Sequence, residues 1–504
     1  MAEGTAGFAR FELRRLEQLP RLSWLARMRR GESAVTVLHG PWVERGADFF
    51  VEGAWDGPYN EGRLDQAVTL AGSGGRTQAN GVLFCPPSHN LEQLYAIRSG
   101  TELLVSNSMA FLLVEAGDGL DLDHPNYFFD RLAHYRDGIR VTGKTLRTAS
   151  GNPVLVFDGV NLLVGSDLKI SRVEKSFGPA PADFAEFEGF MEGTVARVVA
   201  NAADPGRTQP FPPISSVSRG YDSAAVSVLA VRAGCSEAVT LLRSGNRSEP
   251  VTRYLSDDGT EVGSYLGLNV TGYERLDWLK LPEPGPAERY PNVFFTTPGS
   301  TLLMADQVQG RLWMSGRHGE QFWGTDPADC RPWLEDPVSV CMAGVSAAEM
   351  RLRIGYMHFP VPYTLGVHAP ALNVISRSRE MAPWRIGGSY DRPIARRLLE
   401  EAGVPRELFG QMKMGGAGDG PEDLTLPSRW ENDFLSFYHE RVDPRVRSTL
   451  VDHQIGSVPY FVKGEMGKAE QWLRRRRALR PIARSVLGDR HHQRWRSRYL
   501  YTFH

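Results

Sequence analysis

The sequence predicts a two-part α/β chain. A β-rich, sandwich-like N-terminal domain spans 1–175, and a C-terminal α/β domain built on a parallel sheet spans 183–504. Three observations carry this. Short Val-, Leu- and Phe-rich runs, punctuated by Gly, Asn, Asp and Pro, fill the first part. A Pro/Gly-bearing linker, 176–182 (SFGPAPA), marks a shift in composition. Beyond it strand-like and helix-like stretches alternate, which implies parallel strands covered by helices on both faces.

In the first part, 34–38, 82–84, 103–106 and 154–157 read as strands. Helical spacing is expected at 8–30 and at 109–115. Residues 183–203 carry helical apolar spacing at Phe184, Phe187, Phe190, Met191, Val195 and Val198. A proline-bearing break follows at 204–213. The α/β rhythm then runs strand 214–218, helix 222–233, strand 238–242, helix 257–266 closed by Gly267, strand 268–273 and strand 311–314. From about 347 the chain reads as helix-rich. No internal repeat is visible.

The chain has 504 residues with 58 Lys and Arg against 59 Asp and Glu, a net charge of −1. This excludes a globally basic nucleic-acid binder. No run approaches the ~20 apolar residues of a membrane span. The first residues lack the apolar stretch of a secretory signal, so a cytoplasmic protein without a membrane partner is expected. Cys85, Cys235, Cys330 and Cys341 are scattered with no CxxC pair, which argues against a zinc ribbon or disulfide scaffold.

The first motif is 214–229, ISSVSRGYDSAAVSVL. A strand ends in Ser218, Arg219, Gly220, Tyr221, Asp222 and Ser223, and a helix follows. Such a turn lies at the carboxyl edge of a parallel sheet, where ligands bind. Small residues admit an oxyanion to the backbone N–H groups, Ser218 and Ser223 add hydroxyl donors, and the helix N-terminus favours phosphate. Beside a phosphate, Asp222 suits Mg²⁺. An ordinary helix capped by Asp222 or Ser223 is the competing reading. The second motif is 310–325, GRLWMSGRHGEQFWGT, where a strand delivers Ser315 and Gly316, then Glu320 and Gln321. An ordinary strand-to-helix turn with a buried aromatic pair competes with it.

The first motif resembles the S-G-G-x-D-S pyrophosphatase loop of the asparagine synthetase-like ATP pyrophosphatases, and the second resembles their S-G-x-G-x-D-E-x-F-G-G signature. Order and separation agree with that family, and 256–270 is similar to the family helix between them. Arg219 replaces a loop glycine, His318 stands at a glycine, and Gln321 at the second acid. The resemblance implies ATP on Ser218, Arg219, Gly220, Tyr221, Asp222, Ser223, Ser315 and Gly316, with Asp222 and Glu320 holding Mg²⁺. It also implies a catalytic lysine, Lys413, in the segment 409–415, where a fixed cation steadies charge on the reacting carbonyl and departing phosphate. Arg396 and Arg397 could reach the pyrophosphate. Glu380 is a candidate acid or base, with a structural role as its competitor.

The N-terminal part weakly resembles the glutaminase domain of the same family through 103–113 (LLVSNSMAFLL). Its Cys nucleophile after the initiator Met is missing: the chain reads Met1, Ala2, Glu3. A degenerate Ntn-type domain is implied, similar to that of the β-lactam synthetases. The implied activity is an AMP-forming ligase that adenylates a small-molecule or peptide carboxylate and transfers it to an amine. A partner protein could supply the amine or a carrier. Two alternatives stand beside it: a decayed scaffold or regulator, and an enzyme that adenylates RNA. The tail 463–504 has twelve Lys and Arg against three acids, yet reads first as a solvated or pocket-facing helix, so nucleic acid is not the expected partner. His491 and His492 lack matching ligands for a metal.

Overall fold

A computed structural model of the chain describes residues 8, 10–121, 145–243, 256–275, 277–281, 298–327, 330, 332–334, 344–388, 390–412 and 440. Among them the N-terminal strands are β1 (Arg10–Arg15), β2 (Trp24–Arg29), β3 (Ala34–His39), β4 (Glu44–Arg45), β5 (Phe49–Trp55), β6 (Leu70–Gln78), β7 (Gly81–Cys85), β8 (Leu94–Ser99), β9 (Glu102–Ser106), β10 (Thr145–Leu146), β11 (Val154–Phe157), β12 (Val160–Val164) and β13 (Ile170–Glu174). They form two sheets, ordered β1-β3-β2-β9-β8-β11-β10 and β13-β12-β7-β6-β5-β4. The pairings are antiparallel except β1 with β3. The inner faces share one core, in which Trp24 of the first sheet stacks on Phe84 of the second at 5.8 Å. Helix α1 (Met109–Ala116) packs on β8 and β9, at the expected position.

The helix expected over 8–30 is not there; β1 and β2 occupy it. Leu13, Leu16, Leu19, Leu22 and Leu25 recur every three residues and imitate a helix, but Pro20 would break one. Both Leu25 and its neighbours Trp24 and Ala26 are buried, so β2 shows none of the alternation that marks a half-exposed strand.

Helix α2 (Phe184–Ala202) follows the linker. Asp183 accepts from the Glu186 N–H at 2.9 Å while Glu186 accepts from Ala182 N, a reciprocal cap. Its buried stripe joins the core of the second part. That part holds β14 (Pro213–Ser216), α3 (Tyr221–Arg232), β15 (Glu237–Leu241), α4 (Thr260–Tyr265), β16 (Asn269–Tyr273), α5 (Pro298–Leu303), α6 (Ala305–Val308), β17 (Leu312–Ser315), α7 (Gly319–Phe322), α8 (Gly344–Ile354), β18 (Met357–Pro360), α9 (Ala369–Arg377) and α10 (Pro393–Glu401). Its sheet is parallel throughout, ordered β16-β15-β14-β17-β18. The chain is thus mixed α/β, β-rich at the N-terminus, with a parallel sheet after it. Strand β18 had no signal in the sequence: four residues, all buried, leave no periodicity to read.

The two parts meet through buried polar contacts. Arg351 of α8 donates to both Glu52 oxygens at 2.8 and 3.1 Å and pairs with Glu92 at 2.7 Å. Glu349 accepts from the Ser108 hydroxyl at 2.8 Å and Met109 N at 3.0 Å, serving the first turn of α1. Among the described residues, no helix is long and apolar enough to cross a membrane.

Candidate functional site

The parallel sheet reverses its winding between β14 and β17. From β14 the chain moves outward through β15 to β16, then returns to the far side of β14 for β17 and β18. Loops leaving two such neighbouring strands diverge, and the crevice between them is where ligands bind in open α/β sheets. The loops at this point are 217–220 and 316–318, so both sequence motifs arrive at one place.

In the first loop, the hydroxyls of Ser218 and Ser223 lie 2.7 Å apart, and Gly220 N donates to Ser218 Oγ at 3.1 Å. The N-cap of α3 is Gly220, in extended conformation. Asp222 and Ser223 stand inside the first turn, not at the cap. The capped-helix reading therefore does not describe this turn.

The second loop presses on the first. A Cβ on Gly316 would lie 2.3 Å from Ser223 N and 2.4 Å from Asp222 C, and one on Gly319 2.7 Å from the Asp222 Cβ, Cγ and Oδ1. Only glycine permits this approach. His318, between them, takes φ +62°, the left-handed conformation glycine favours. Its Nδ1 is 3.8 Å from Glu320 Oε1. Glu320 lies in the first turn of α7 with 40% of its side chain exposed. Ser315 ends β17, buried, its Oγ 2.8 Å from His358 Nε2. Burial, with the charges of His89, Arg317, Arg351 and His318, holds the His358 imidazole well below its usual pKa, hence neutral.

No protein-family model matches the chain, and no curated protein matches it.

A third element braces the loops. Gly410 N donates to Arg219 O at 2.8 Å. Arg396, 1% exposed, donates to the Tyr221 hydroxyl and lies over its ring. It thereby anchors Tyr221 of the first loop. Arg397 pairs with Glu380 at 2.6 Å and Glu401 at 2.8 Å. Glu380 is 43% exposed in that pair, and no hydrogen bond or ion pair among the described residues joins it to either loop. Lys413 lies outside the described residues, three positions beyond Gly410, as do Met1, Cys341 and the basic tail with His491 and His492.

Three further residues at the site were not among the candidates read from the sequence. Tyr390 OH is 3.5 Å from Tyr221 N, and its ring packs on Tyr221 at 4.9 Å. Burial and the Asp222 charge raise the pKa of its phenol. Asp257 accepts from Arg219 N through its carbonyl at 3.4 Å. Burial pushes its carboxyl up to about 7, against the pull of the Arg219 N–H, Arg275, the Arg219 charge and the Ser218 hydroxyl. The Asp257-Asp258-Gly259 turn at a strand-to-helix junction was the available signal for it. His358 sits on the strand the sequence hid.

The chemistry of this donor set, the start of a twelve-residue helix, two hydroxyls and two carboxylates, fits phosphate groups with a divalent cation such as Mg²⁺. Among the described residues, no group of three or more His, Cys, Asp or Glu is placed to hold a metal. Mg²⁺ needs only one or two carboxylates when phosphate oxygens and water complete its shell.

Proposed function

We propose that the chain is an ATP- and Mg²⁺-dependent, AMP-forming amide synthetase of the asparagine synthetase-like ATP pyrophosphatase type, with a degenerate, glutaminase-like N-terminal domain. The observation that carries the reading is the meeting of both motifs at the switch point, with Gly316 and Gly319 in contact with Asp222. Left-handed His318 supports it further, because the family signature has a glycine there and the backbone keeps a glycine's shape.

In this reading the N-terminus of α3 and the hydroxyls of Ser218, Ser223 and Ser315 face phosphate oxygens. Asp222 and Glu320 hold Mg²⁺, which would neutralise phosphate charge. A substrate carboxylate oxygen bonds to the α-phosphorus as the bond to pyrophosphate breaks. An amine nitrogen then bonds to the activated carbonyl, AMP leaves, and the amine proton passes to a base or solvent. Lys413 would stabilise the negative charge of that second step. Cys85 is buried with its thiol pushed up to about 12, so it does not serve as a nucleophile in the N-terminal domain.

Calorimetric titration with ATP and Mg²⁺ tests the reading. Wild type binds, and Asp222→Ala loses binding while keeping its melting temperature. Failure of the wild type to bind overturns the nucleotide site and leaves a scaffold role.

A further inference from the structure

The first N–H groups of α3 are already engaged by the chain's own oxygens. Gly220 N donates to Ser218 Oγ at 3.1 Å. The next N–H, that of Tyr221, points at the phenol oxygen of Tyr390, 3.5 Å away. A Cβ on Gly220 would lie 3.7 Å from the same oxygen. The phenol oxygen therefore stands over the opening residues of the helix.

An oxygen that accepts from a backbone N–H settles at ~2.9 Å from the nitrogen. A ligand oxygen on the Tyr221 N–H would then lie roughly 0.6 Å from the phenol oxygen, along the same line. Two oxygens cannot share that place. The N–H serves Tyr390 or it serves a ligand.

Of the two tyrosines, Tyr221 is the fixed one. Arg396 donates to its hydroxyl and lies over its ring, and Gly410 presses on that ring from another side. Tyr390 is only partly buried, with its ring 4.9 Å from that of Tyr221. The turn before it is tied by Asp391, which accepts from Ile386 N at 3.3 Å and Gly387 N at 3.0 Å, so the turn stays while the side chain rotates. At 3.5 Å the bond to Tyr221 N is long and weak. Burial and the Asp222 charge keep the phenol protonated and neutral. The positive end of α3 favours an anionic oxygen over a neutral one, so phosphate is able to displace it.

We propose that Tyr390 is a built-in competitor for the phosphate seat: its hydroxyl closes the start of α3 and turns away before a phosphate oxygen takes the Tyr221 N–H. The identity of the ligand rests on the synthetase reading; the mutual exclusion at Tyr221 N does not. A closed form favoured ~10:1 lowers apparent affinity about tenfold.

The test is calorimetry of the full chain with ATP and Mg²⁺, comparing wild type, Tyr390→Phe and Tyr390→Ala, with the fold of each variant checked by its melting temperature. Phenylalanine keeps the ring on Tyr221 and removes the oxygen, and is expected to tighten binding ~3-fold. Alanine removes both and is expected to tighten it at least ~10-fold. If alanine does not fold, phenylalanine decides alone. A phosphate-binding role for Tyr390 would give the opposite sign. Wild-type binding that the folded variants only equal or weaken overturns the competitor and leaves the synthetase reading in place. No binding by any of the three removes the synthetase reading and the competitor with it. In crystals soaked with magnesium pyrophosphate, a pyrophosphate oxygen is expected on Tyr221 N with the phenol turned aside. A bound pyrophosphate with the phenol oxygen still facing Tyr221 N overturns the proposal.

Discussion

Replacing Gly316 with alanine puts a methyl carbon 2.3 Å from Ser223 N and 2.4 Å from Asp222 C. Ordinary contact between such atoms begins near ~3.5 Å, so the two loops must part by roughly 1 Å. The atoms met are backbone, so no side-chain rotation relieves the clash. The cost divides between two measurable quantities. Overpacking of this kind destabilises by ~1–3 kcal/mol. A ~1 Å displacement of a positioned group is able to cost about 100-fold in function. Gly316→Ala is therefore expected to weaken ATP–Mg²⁺ binding by ~10–100-fold in calorimetry while remaining folded in a urea titration. Gly189→Ala is the control: no atom lies within 4 Å of its Cβ, and its place inside α2 makes the change neutral or stabilising by ~1 kcal/mol. If Gly316→Ala binds ATP within about threefold of wild type, the claim that the second loop shapes the first is wrong.

His318→Gly removes a left-handed non-glycine residue and is expected to stabilise by up to ~1 kcal/mol in thermal unfolding, with ATP affinity retained. Arg351→Met strands Glu52 and Glu92 in the seam and is expected to cost ~3–5 kcal/mol in urea unfolding, most of it recovered when both acids also become apolar. Asp257 and Glu92 are both held near about 7 in the folded protein, chiefly by burial. Between the ordinary carboxyl value of about 4 and that point, the folded state keeps protons that the unfolded chain has released. Stability from these groups is thus full at low pH, falls as pH rises through this window and is level above it. Asp257→Asn is expected to flatten part of that slope in urea titrations, and Glu92→Gln a further part. An unchanged slope in both would contradict the assigned burial.

The parts of this fold that the sequence announced are those with local punctuation. Helix α2 advertises itself through its capping pair and apolar spacing, and the strands of the parallel sheet through their alternation with helices. Both loops of the candidate site were legible for the same reason, as strand-to-helix turns rich in small residues. What stayed hidden depends on contacts between distant residues. Tyr390 reaches Tyr221 across 169 positions, and His358 reaches Ser315 across 43. Neither has a local spacing to betray it. Arg396 and Arg397 look equivalent in sequence, but one faces a buried tyrosine and the other two exposed acids. Adjacent helix positions point ~100° apart, so neighbours meet different surroundings.

The seam decides how the two parts must be regarded. Helix α8 belongs to the second part by sequence, yet its Arg351 neutralises Glu52 and Glu92 of the first, and its Glu349 serves the start of α1. The same helix leads directly into β18, whose His358 supports Ser315 at the switch point. Any shift of the sandwich against α8 would be felt at β18 and hence at Ser315. A domain carried only as an appended module would not need to bury a charged triad and a polar loop at this seam. Burying charge is costly unless the geometry is held. The sandwich is better understood as a wall of the candidate site than as an appended module.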